Sequence, residues 1–256
     1  AILKDAIYLL DQEPKLLNNI SDTLDFNNTI ELKDISFKYN DDKLILNKFN
    51  HVIKKGSRTG IIGSTGSGKS TLVDIIMGLL LPTSGSLLVD NLAVNKNNMH
   101  HWRSKIAHVP QSIFLIDSSI EENIAFGISK DKIDRKRVKE VAEQAQISSF
   151  IKSLPNGYET NVGERGVKLS GGQKQRIGIA RALYKQASLV IFDEATSALD
   201  SETEKEIMEA IKNLSNELTL IIIAHRTSTL EQCDLILDLS SKDISNQVKS
   251  YDEVTS

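Results

Sequence analysis

The sequence has little of what marks a disulfide-stabilised, membrane-spanning or nucleic-acid-binding chain. Cys233 is the only cysteine in 256 residues, so no disulfide can form within the chain, which fits a reducing compartment. The longest apolar runs, such as 220–224, are far shorter than the roughly 20 residues that span a bilayer. A net charge of −3 argues against broad electrostatic binding to nucleic acid. Hydrophobic content of 40% and charged content of 25% are ordinary for a soluble globular protein.

Glycines are concentrated in one stretch that fits G-x-x-x-x-G-K-[ST], the phosphate-binding loop: Gly63-Ser64-Thr65-Gly66-Ser67-Gly68-Lys69-Ser70. Residues without a Cβ let the backbone fold tightly and point N–H groups at phosphate oxygens. The Lys69 ammonium can reach the β- and γ-phosphates, and the Ser70 hydroxyl can bind Mg²⁺. An apolar strand predicted over 58–62 and a helix predicted over 71–80 flank the loop, which disfavours a chance glycine-rich turn. The sequence therefore predicts a nucleoside-triphosphate site.

Two carboxylates follow a strand that should be buried. The apolar run 189–192 predicts a parallel strand, and Asp193 and Glu194 come directly after it. Open α/β sheets bind ligands at the carboxyl edge of their strands, so Asp193 is placed to hold Mg²⁺ and Glu194 to polarise an attacking water. Ordinary strand termination is the alternative. His225 ends the next buried strand, 218–223, and its placement fits a structural role as well as a catalytic one.

A second potential anion site opens a helix that should run to about Tyr184. Ser170 can cap this helix, and the adjacent Gly171 and Gly172 leave its first N–H groups open. The positive end of a helix dipole favours a negatively charged ligand.

The rest of the chain indicates how these sites are carried. Alternation over 29–53 predicts antiparallel strands with a hairpin. Helical periodicity without strands over 118–153 predicts an inserted helical subdomain. The amphipathic start, 1–28, favours a surface helix with a linker on periodicity alone, and a connector from an absent upstream domain is the alternative. Residues 240–256 are polar and weakly patterned.

Taken together, these residues resemble the nucleotide-binding domain of ATP-binding cassette (ABC) transporters over about 29–239. Tyr39 and Gln111 alone would be an edge-strand aromatic and a solvated loop residue, but both match family positions. The matching motifs, in chain order, are the adenine-stacking aromatic at Tyr39, the Walker A loop at 63–70, the Q-loop at Gln111, the signature at 169–173, Walker B at 189–193, the D-loop at 197–200 and the switch histidine at His225.

The resemblance implies an α/β fold with a P-loop NTPase core, an antiparallel β subdomain and an inserted helical subdomain at about 118–184. Two copies would pair head to tail around two ATP molecules, so that Ser170, Gly171 and Gly172 of one copy contact the γ-phosphate held by the other. It implies Glu194 and His225 as catalytic residues, with Ser70, Gln111 and Asp193 at Mg²⁺. The residues that it implies for nucleotide binding are Tyr39, Ile45, Gly63, Ser64, Thr65, Gly66, Ser67, Gly68, Lys69, Ser70, Thr71, Gln111, Ser170, Gly171, Gly172, Gln173 and Asp200.

Two stretches, 114–124 and 163–166, look like the exporter type, whose ATPase is fused behind six membrane helices. Residues 1–28 then resemble the connector from those helices, and a transmembrane domain is the expected partner at the cytoplasmic face of a bacterial inner membrane. Overall similarity is to bacterial flippases of lipid-linked saccharides. Two departures stand out: Asn161 replaces a common acidic residue, and 240–243 replaces a glycine-containing turn.

Two other ATPase classes share these motifs. A DNA-maintenance ATPase needs a long coiled coil between Walker A and the signature, whereas this interval holds a compact helical block and no basic stripe. A ribosome-associated member carries two cassettes in one chain, and one is present here. We therefore predict the ATP-hydrolysing domain of a membrane exporter, without a nucleic-acid partner.

Overall fold

Strands and helices alternate along the chain, as the predicted α/β class requires. The computed structural model describes residues 23–39, 44–195, 201–213, 217–224, 226–240 and 248–255. In these residues the strands are β1 (Thr29–Phe37), β2 (Leu46–Lys54), β3 (Arg58–Ile62), β4 (Ser84–Val89), β5 (Leu92–Ala93), β6 (Ile106–Val109), β7 (Leu189–Asp193), β8 (Thr219–Ile223), β9 (Leu235–Asp238) and β10 (Val248–Lys249). The helices are α1 (Lys69–Ile76), α2 (Met99–Ser104), α3 (Ile120–Ile124), α4 (Arg135–Gln144), α5 (Ser148–Ser153), α6 (Gly171–Tyr184), α7 (Ser201–Lys212) and α8 (Tyr251–Thr255).

Several predicted features lie outside the described residues. These are His225, the D-loop at 197–200 with its Asp200, and most of the 1–28 connector. Within the described ranges, no helix combines the length and the apolar character that a bilayer crossing requires.

A six-stranded sheet forms the centre of the α/β part. Its order is β10–β9–β3–β8–β7–β6, and its neighbouring strands are parallel except for β10 with β9. Every residue of β8 is buried, as are the first four of β7, which is the pattern of parallel strands covered on both faces. The carboxyl ends of β3, β8 and β7 meet at one edge, where open α/β sheets bind ligands.

A second, four-stranded sheet is antiparallel and has the order β2–β1–β4–β5. Ile30 pairs with Ile53 in β2 and with Val89 in β4, and all three side chains are buried. The antiparallel pairing of β1 with β2 and β4 confirms the predicted antiparallel β subdomain.

Residues that precede β1 already belong to the packed core. Leu24 and Phe26 are buried, and the Phe26 ring meets Trp102 edge-on with 6.1 Å between ring centroids. The buried Trp102 indole N–H donates to the Ile76 carbonyl at 2.7 Å. Leu24 and Phe26, which fall within the predicted connector, therefore pack against the core that follows them.

Helices α3 to α6 build the predicted helical subdomain, and a buried asparagine ties its first helix to the segment before it. The Asn123 side chain accepts the Ile116 N–H at 3.0 Å and donates to the carbonyls of Ile116 and Ser119, each at 3.0 Å. Arg181 of α6 donates to the carbonyls of Asn123 and Phe114, each at 2.9 Å. Asn123 and Arg181 together hold the backbone of Phe114 and Ile116 against the helices of the subdomain.

Replacing Asn123 with alanine is expected to lower the free energy of unfolding by about 2 kcal/mol, because the buried Ser119 carbonyl and the partly buried N–H and carbonyl of Ile116 lose their partner. Urea denaturation followed by the fluorescence of Trp102 measures the change. Asn97→Ala, at an exposed site, is the matched control, and it should change the free energy by less than about 0.5 kcal/mol. Equal effects at the two sites would contradict a structural role for Asn123.

Two short elements lie in the stretch 240–256, for which the sequence predicted no regular structure. Strand β10 pairs with β9, Val248 opposite Leu237 and Lys249 opposite Ile236. Helix α8 follows, and Tyr251 packs against the main core. Neither element has a strong signal in the sequence, because both are short and polar.

Candidate functional site

The predicted phosphate-binding loop joins β3 to α1 at the carboxyl edge of the parallel sheet. Gly63, Gly66 and Gly68 have φ angles of 152°, 81° and 101°, which L side chains rarely adopt. A Cβ on Gly63 would lie 2.4 Å from the Ser67 hydroxyl oxygen. Gly68 is the N-cap of α1, and no side chain caps this helix, so its first N–H groups can serve an anion.

The ammonium group of Lys69 crosses back over the loop. Lys69 is only 9% exposed, and its Nζ donates to the carbonyls of Gly63 at 2.7 Å and Ser64 at 3.1 Å. This concentrates positive charge beside the loop. Ser70, the next residue along α1, is exposed.

A cleft of about 330 Å³ is lined by eight of the 17 residues predicted to bind the nucleotide. This volume falls in the range of small-molecule sites. The loop, the predicted adenine contacts and the predicted catalytic carboxylate line the same cleft. The lining residues are Tyr39, Ile45, Thr65, Gly66, Gly68, Lys69, Ser70, Thr71 and Glu194.

Tyr39 stands at the mouth of this cleft and is 60% exposed. The ring of Phe37 meets it edge-on, with centroids 4.9 Å apart, and its hydroxyl lies 3.2 Å from the Thr71 hydroxyl. Contacts at both ends hold the ring while leaving aromatic surface accessible. Such a ring can stack on a nucleobase.

Glu194 follows β7 in a left-handed conformation, with φ of 50°. Its N–H donates to the Ile223 carbonyl of β8 at 3.0 Å, which holds the turn. Non-glycine residues adopt such angles mainly where the surrounding structure enforces them, often at functional sites. The turn places Glu194 in the cleft that Lys69 also lines.

Asp193 lies at the end of β7, and one-third of its side chain is exposed. His108 Nε2 lies 3.8 Å from Asp193 Oδ2. Burial raises the pKa of nearby Asp74; His108 opposes this shift, and the charge of Asp193 adds to it. The carboxyl groups of Asp74 and Asp193 are therefore close enough for the charge of one to affect the other.

The oxygen atoms here fit Mg²⁺, which prefers oxygen ligands and usually combines one or two carboxylates with substrate phosphates. Ser70 supplies a hydroxyl on the loop side and Asp193 a carboxylate at the sheet edge. In the described part of the chain, no group of three or more His, Cys, Asp or Glu side chains could hold a metal by itself.

The signature residues form a capped helix start away from the cleft. The Ser170 hydroxyl accepts the Gln173 N–H at 3.3 Å, and the Gln173 side chain accepts the Ser170 N–H at 2.9 Å. This capping box confirms the predicted N-cap. Ser170 and Gly171 are exposed, and none of residues 170–173 is among the described residues that line the cleft.

Gln111 is exposed just after β6, as predicted for a loop residue. Its carbonyl accepts the side-chain amide of the buried Gln175 at 2.7 Å, which fixes the Q-loop backbone to α6. Gln175 was not predicted as a site residue. Its signal is its place two residues after Gln173 on the signature helix, but its partner lies 64 positions away in sequence.

A groove of about 630 Å³ opens between the sheet and the helical subdomain, and we call it the subdomain groove. Three large apolar side chains that line it are exposed to solvent: Leu79 and Phe126 are each 51% exposed, and Ile128 is 45% exposed. The Arg181 guanidinium lies 4.8 Å from the centroid of the Phe126 ring. The described residues that line it are Met77, Leu79, Arg103, Ile106, Ala107, His108, Ile124, Phe126, Ile128, Arg181, Ala182, Tyr184 and Lys185.

Known proteins are similar to this chain in sequence and in fold. An ATP-dependent lipid A-core flippase from Saccharophagus degradans is 46% identical over 208 residues, which cover 81% of this chain and 35% of that protein. The heterocyst differentiation ATP-binding protein HepA from a Nostoc species is 44% identical over 209 residues, which cover 82% of this chain and 34% of that protein. The chain thus spans about a third of the length of these relatives.

A solved bacterial Atm1-family ABC exporter with ATP bound superposes with a TM-score of 0.84 at 35% identity, covering 98% of this chain and 44% of that one. This likeness extends over the phosphate-binding loop, the signature helix and the subdomain groove. The sequence pattern of the ABC transporter family matches residues 46–197, more than half of the chain. Because this match covers more than half of the chain, the chain belongs to the ABC transporter family.

Proposed function

We propose that this chain binds and hydrolyses ATP as one member of a head-to-tail pair of domains. The observation that supports the pairing is that the signature residues are not among the described residues that line the cleft containing the phosphate-binding loop. The cleft holds the loop and Glu194, whereas the exposed Ser170 and Gly171 stand outside it. The N-terminal end of the signature helix is suited to an anion, but its residues, all of them described, do not line the cleft that holds the phosphate-binding loop of the same chain. The signature helix of a second copy would therefore complete the ATP site of the first.

In the closed pair, Lys69 and the loop amides hold the β- and γ-phosphates. Glu194 orients and polarises the attacking water. Bound Mg²⁺ supplies neutralisation of the charge on the phosphates, and Ser70 and Asp193 are the residues that would hold it, with Gln111 beside them. His225 and Asp200 stay predictions for contacts with the nucleotide.

We further propose that a transmembrane domain of the same protein docks on the subdomain groove at the cytoplasmic face of the membrane. The matched relatives are about three times as long as the matched segment, so they contain large further regions. The exposed apolar side chains of Leu79, Phe126 and Ile128 suit burial against a partner. Their place between the sheet and the helical subdomain would let movement at the ATP site reach that partner.

The class of cargo that we propose is a lipid or a lipid-linked saccharide. Its support is the identity to the lipid A-core flippase, which concerns the domain that hydrolyses ATP rather than the region that contacts cargo. The DNA-maintenance alternative is disfavoured by geometry. Compact helices α3 to α5 fill the interval before the signature helix, where a long coiled coil would have to emerge.

Subunit mixing tests the composite site. Ser170→Arg and Glu194→Gln homodimers should both be inactive, whereas their equimolar mixture should regain up to about a quarter of the wild-type rate, since half of the pairs then contain one intact site. ATP hydrolysis is measured at protein concentrations high enough for pairing, where the wild-type rate per molecule rises with concentration.

The control for this mixing uses two variants whose defects both lie in the cleft of the chain that holds the phosphate-binding loop. Lys69→Ala mixed with Glu194→Gln should regain nothing, because neither composite site then has an intact loop and carboxylate together. Hydrolysis by Ser170→Arg alone at the wild-type rate would show that a single chain carries the complete site.

A further inference from the structure

A chain of polar contacts runs from β10 to the beginning of the phosphate-binding loop. Lys249 Nζ lies 2.6 Å from Asp238 Oδ2, and Asp238 Oδ1 accepts the Ser240 N–H at 2.9 Å. The Ser240 hydroxyl oxygen then accepts the Ser64 N–H at 2.9 Å. We call these contacts the Ser240 relay. They join the end of the chain to a motif residue 176 positions earlier.

Asp238 is the buried centre of the Ser240 relay and is 9% exposed. Burial works to raise the pKa of this carboxyl, but the hydrogen bonds from Lys249 and Ser240 outweigh it, so the pKa lies below its ordinary value. An ionised carboxylate that accepts the Ser240 N–H fixes the backbone turn at Ser240. That turn aims the Ser240 hydroxyl at the loop.

Ser64 is held through both of its backbone groups. Ser240 accepts its N–H, and Lys69 donates to its carbonyl at 3.1 Å. The neighbouring Leu239 N–H donates to the Ile62 carbonyl at 3.0 Å, which keeps the end of β9 alongside the entry to the loop. A shift of Ser64 would therefore be transmitted to the carbonyl that positions the Lys69 ammonium.

We propose that Ser240 is a positioning residue for ATP binding, oriented by Asp238 and Lys249, and that the C-terminal strand thereby sets the conformation of the phosphate-binding loop. None of the three residues belongs to the nucleotide-binding set. The inference rests on the ATP binding proposed above, because that is the property through which the position of Ser64 becomes measurable.

Ser240→Ala in the full chain is expected to raise the Kd for ATP about fivefold, because a single hydrogen bond at an exposed site is replaced by water. Ser240→Thr keeps the hydroxyl and should bind ATP with near wild-type affinity. Lys249→Met should weaken binding in the same direction. The double variant Ser240→Ala/Lys249→Met should bind no more weakly than Ser240→Ala alone, since both changes act through one hydroxyl. Calorimetric titration measures the four affinities.

Two exposed positions outside the Ser240 relay provide matched controls, Ser153→Ala and Lys139→Met. Both should leave the Kd for ATP unchanged. Thermal unfolding of nucleotide-free Ser240→Ala should match that of Ser153→Ala, which separates loop positioning from a general loss of stability. Equal ATP affinity in Ser240→Ala and wild type would overturn the proposal.

Hydrogen exchange tests the same contact without nucleotide. In Ser240→Ala, backbone amides of the peptide that contains Ser64 should exchange several-fold faster than in wild type, while peptides from α4 stay unchanged. Unchanged exchange at Ser64 would overturn the positioning role even if ATP binds. Faster exchange in a protein that binds no ATP would instead overturn the proposed function and leave the contact established.

Discussion

Glu194→Gln is expected to reduce ATP turnover by at least about a hundredfold while ATP still binds, since general-base catalysis typically contributes factors of this size. Glutamine keeps the shape of the side chain but cannot accept a proton from water at neutral pH. The cleft and its loop are unchanged by the substitution, so the phosphates keep their contacts. ATP should therefore accumulate in a bound state.

The geometry around Glu194 explains why this carboxylate, and not its neighbour, is expected to act on water. Asp193 ends β7 beside His108, at 3.8 Å, on the side of the sheet edge where Asp74 also lies. Glu194 turns away through its left-handed backbone and lines the cleft with Lys69. The turn thus gives two adjacent carboxylates different surroundings, which supports the proposed roles of Asp193 at the metal and Glu194 at the water.

Single-turnover hydrolysis and equilibrium binding of ATP, measured on the same sample, test this division of roles. Glu209→Gln, an exposed change of the same chemistry on α7, is the control and should hydrolyse ATP at the wild-type rate. A second readout is association, because the variant should form a nucleotide-stabilised pair with ATP. Hydrolysis by Glu194→Gln within a few-fold of wild type would remove Glu194 as the base.

Predictions from the sequence were most accurate where an apolar strand pattern leads directly into a functional motif. Strand β3 was predicted over 58–62 and is observed there, because a short apolar run directly before a glycine-rich loop has few alternatives. Helix α1 was predicted to extend to residue 80 but ends at Ile76. Gly78 adopts a φ of 67°, which stops the helix, while the apolar residues beyond it had suggested continuation.

Features that depend on distant contacts were not predictable from local pattern. The left-handed turn at Glu194 requires the Ile223 carbonyl of a neighbouring strand. Leu24 and Phe26 lie in the stretch that was predicted to be a surface helix and linker, yet they are buried, and the Phe26 ring contacts Trp102. The contact between Ser240 and Ser64 likewise appears only when β9 is placed beside β3.

The proposed division of the ATP site between two copies likewise goes beyond local pattern. Each half has a clear motif, because tight backbone turns and helix caps demand particular residues at Gly68 and Ser170. Spacing along the chain says nothing about whether the halves face each other within one copy. The resemblance supplied the head-to-tail arrangement, and the fold is consistent with it because the signature helix begins outside the cleft.

Lys69→Ala is expected to raise the Kd for ATP about tenfold to a hundredfold, since a hydrogen bond between an ammonium and a charged oxygen is worth about 1.5–3 kcal/mol. The effect should be selective for the outer phosphates. AMP lacks the β- and γ-phosphates that Lys69 can reach, so its affinity should change little. Tyr39 and Ile45 remain in the cleft to contact the base in either ligand.

Two further variants control for the packing of the Lys69 stem and for the loss of one positive charge. Lys69→Met keeps the apolar stem and loses the ammonium, so it should match Lys69→Ala in ATP affinity. Lys55→Ala removes an exposed lysine just after β2 and controls for the change in net charge. Equal losses of ATP and AMP affinity in Lys69→Ala would indicate a collapsed loop rather than a lost phosphate contact. A selective loss of ATP affinity, with AMP unaffected, is the result that the position of Lys69 Nζ over the loop carbonyls leads us to expect.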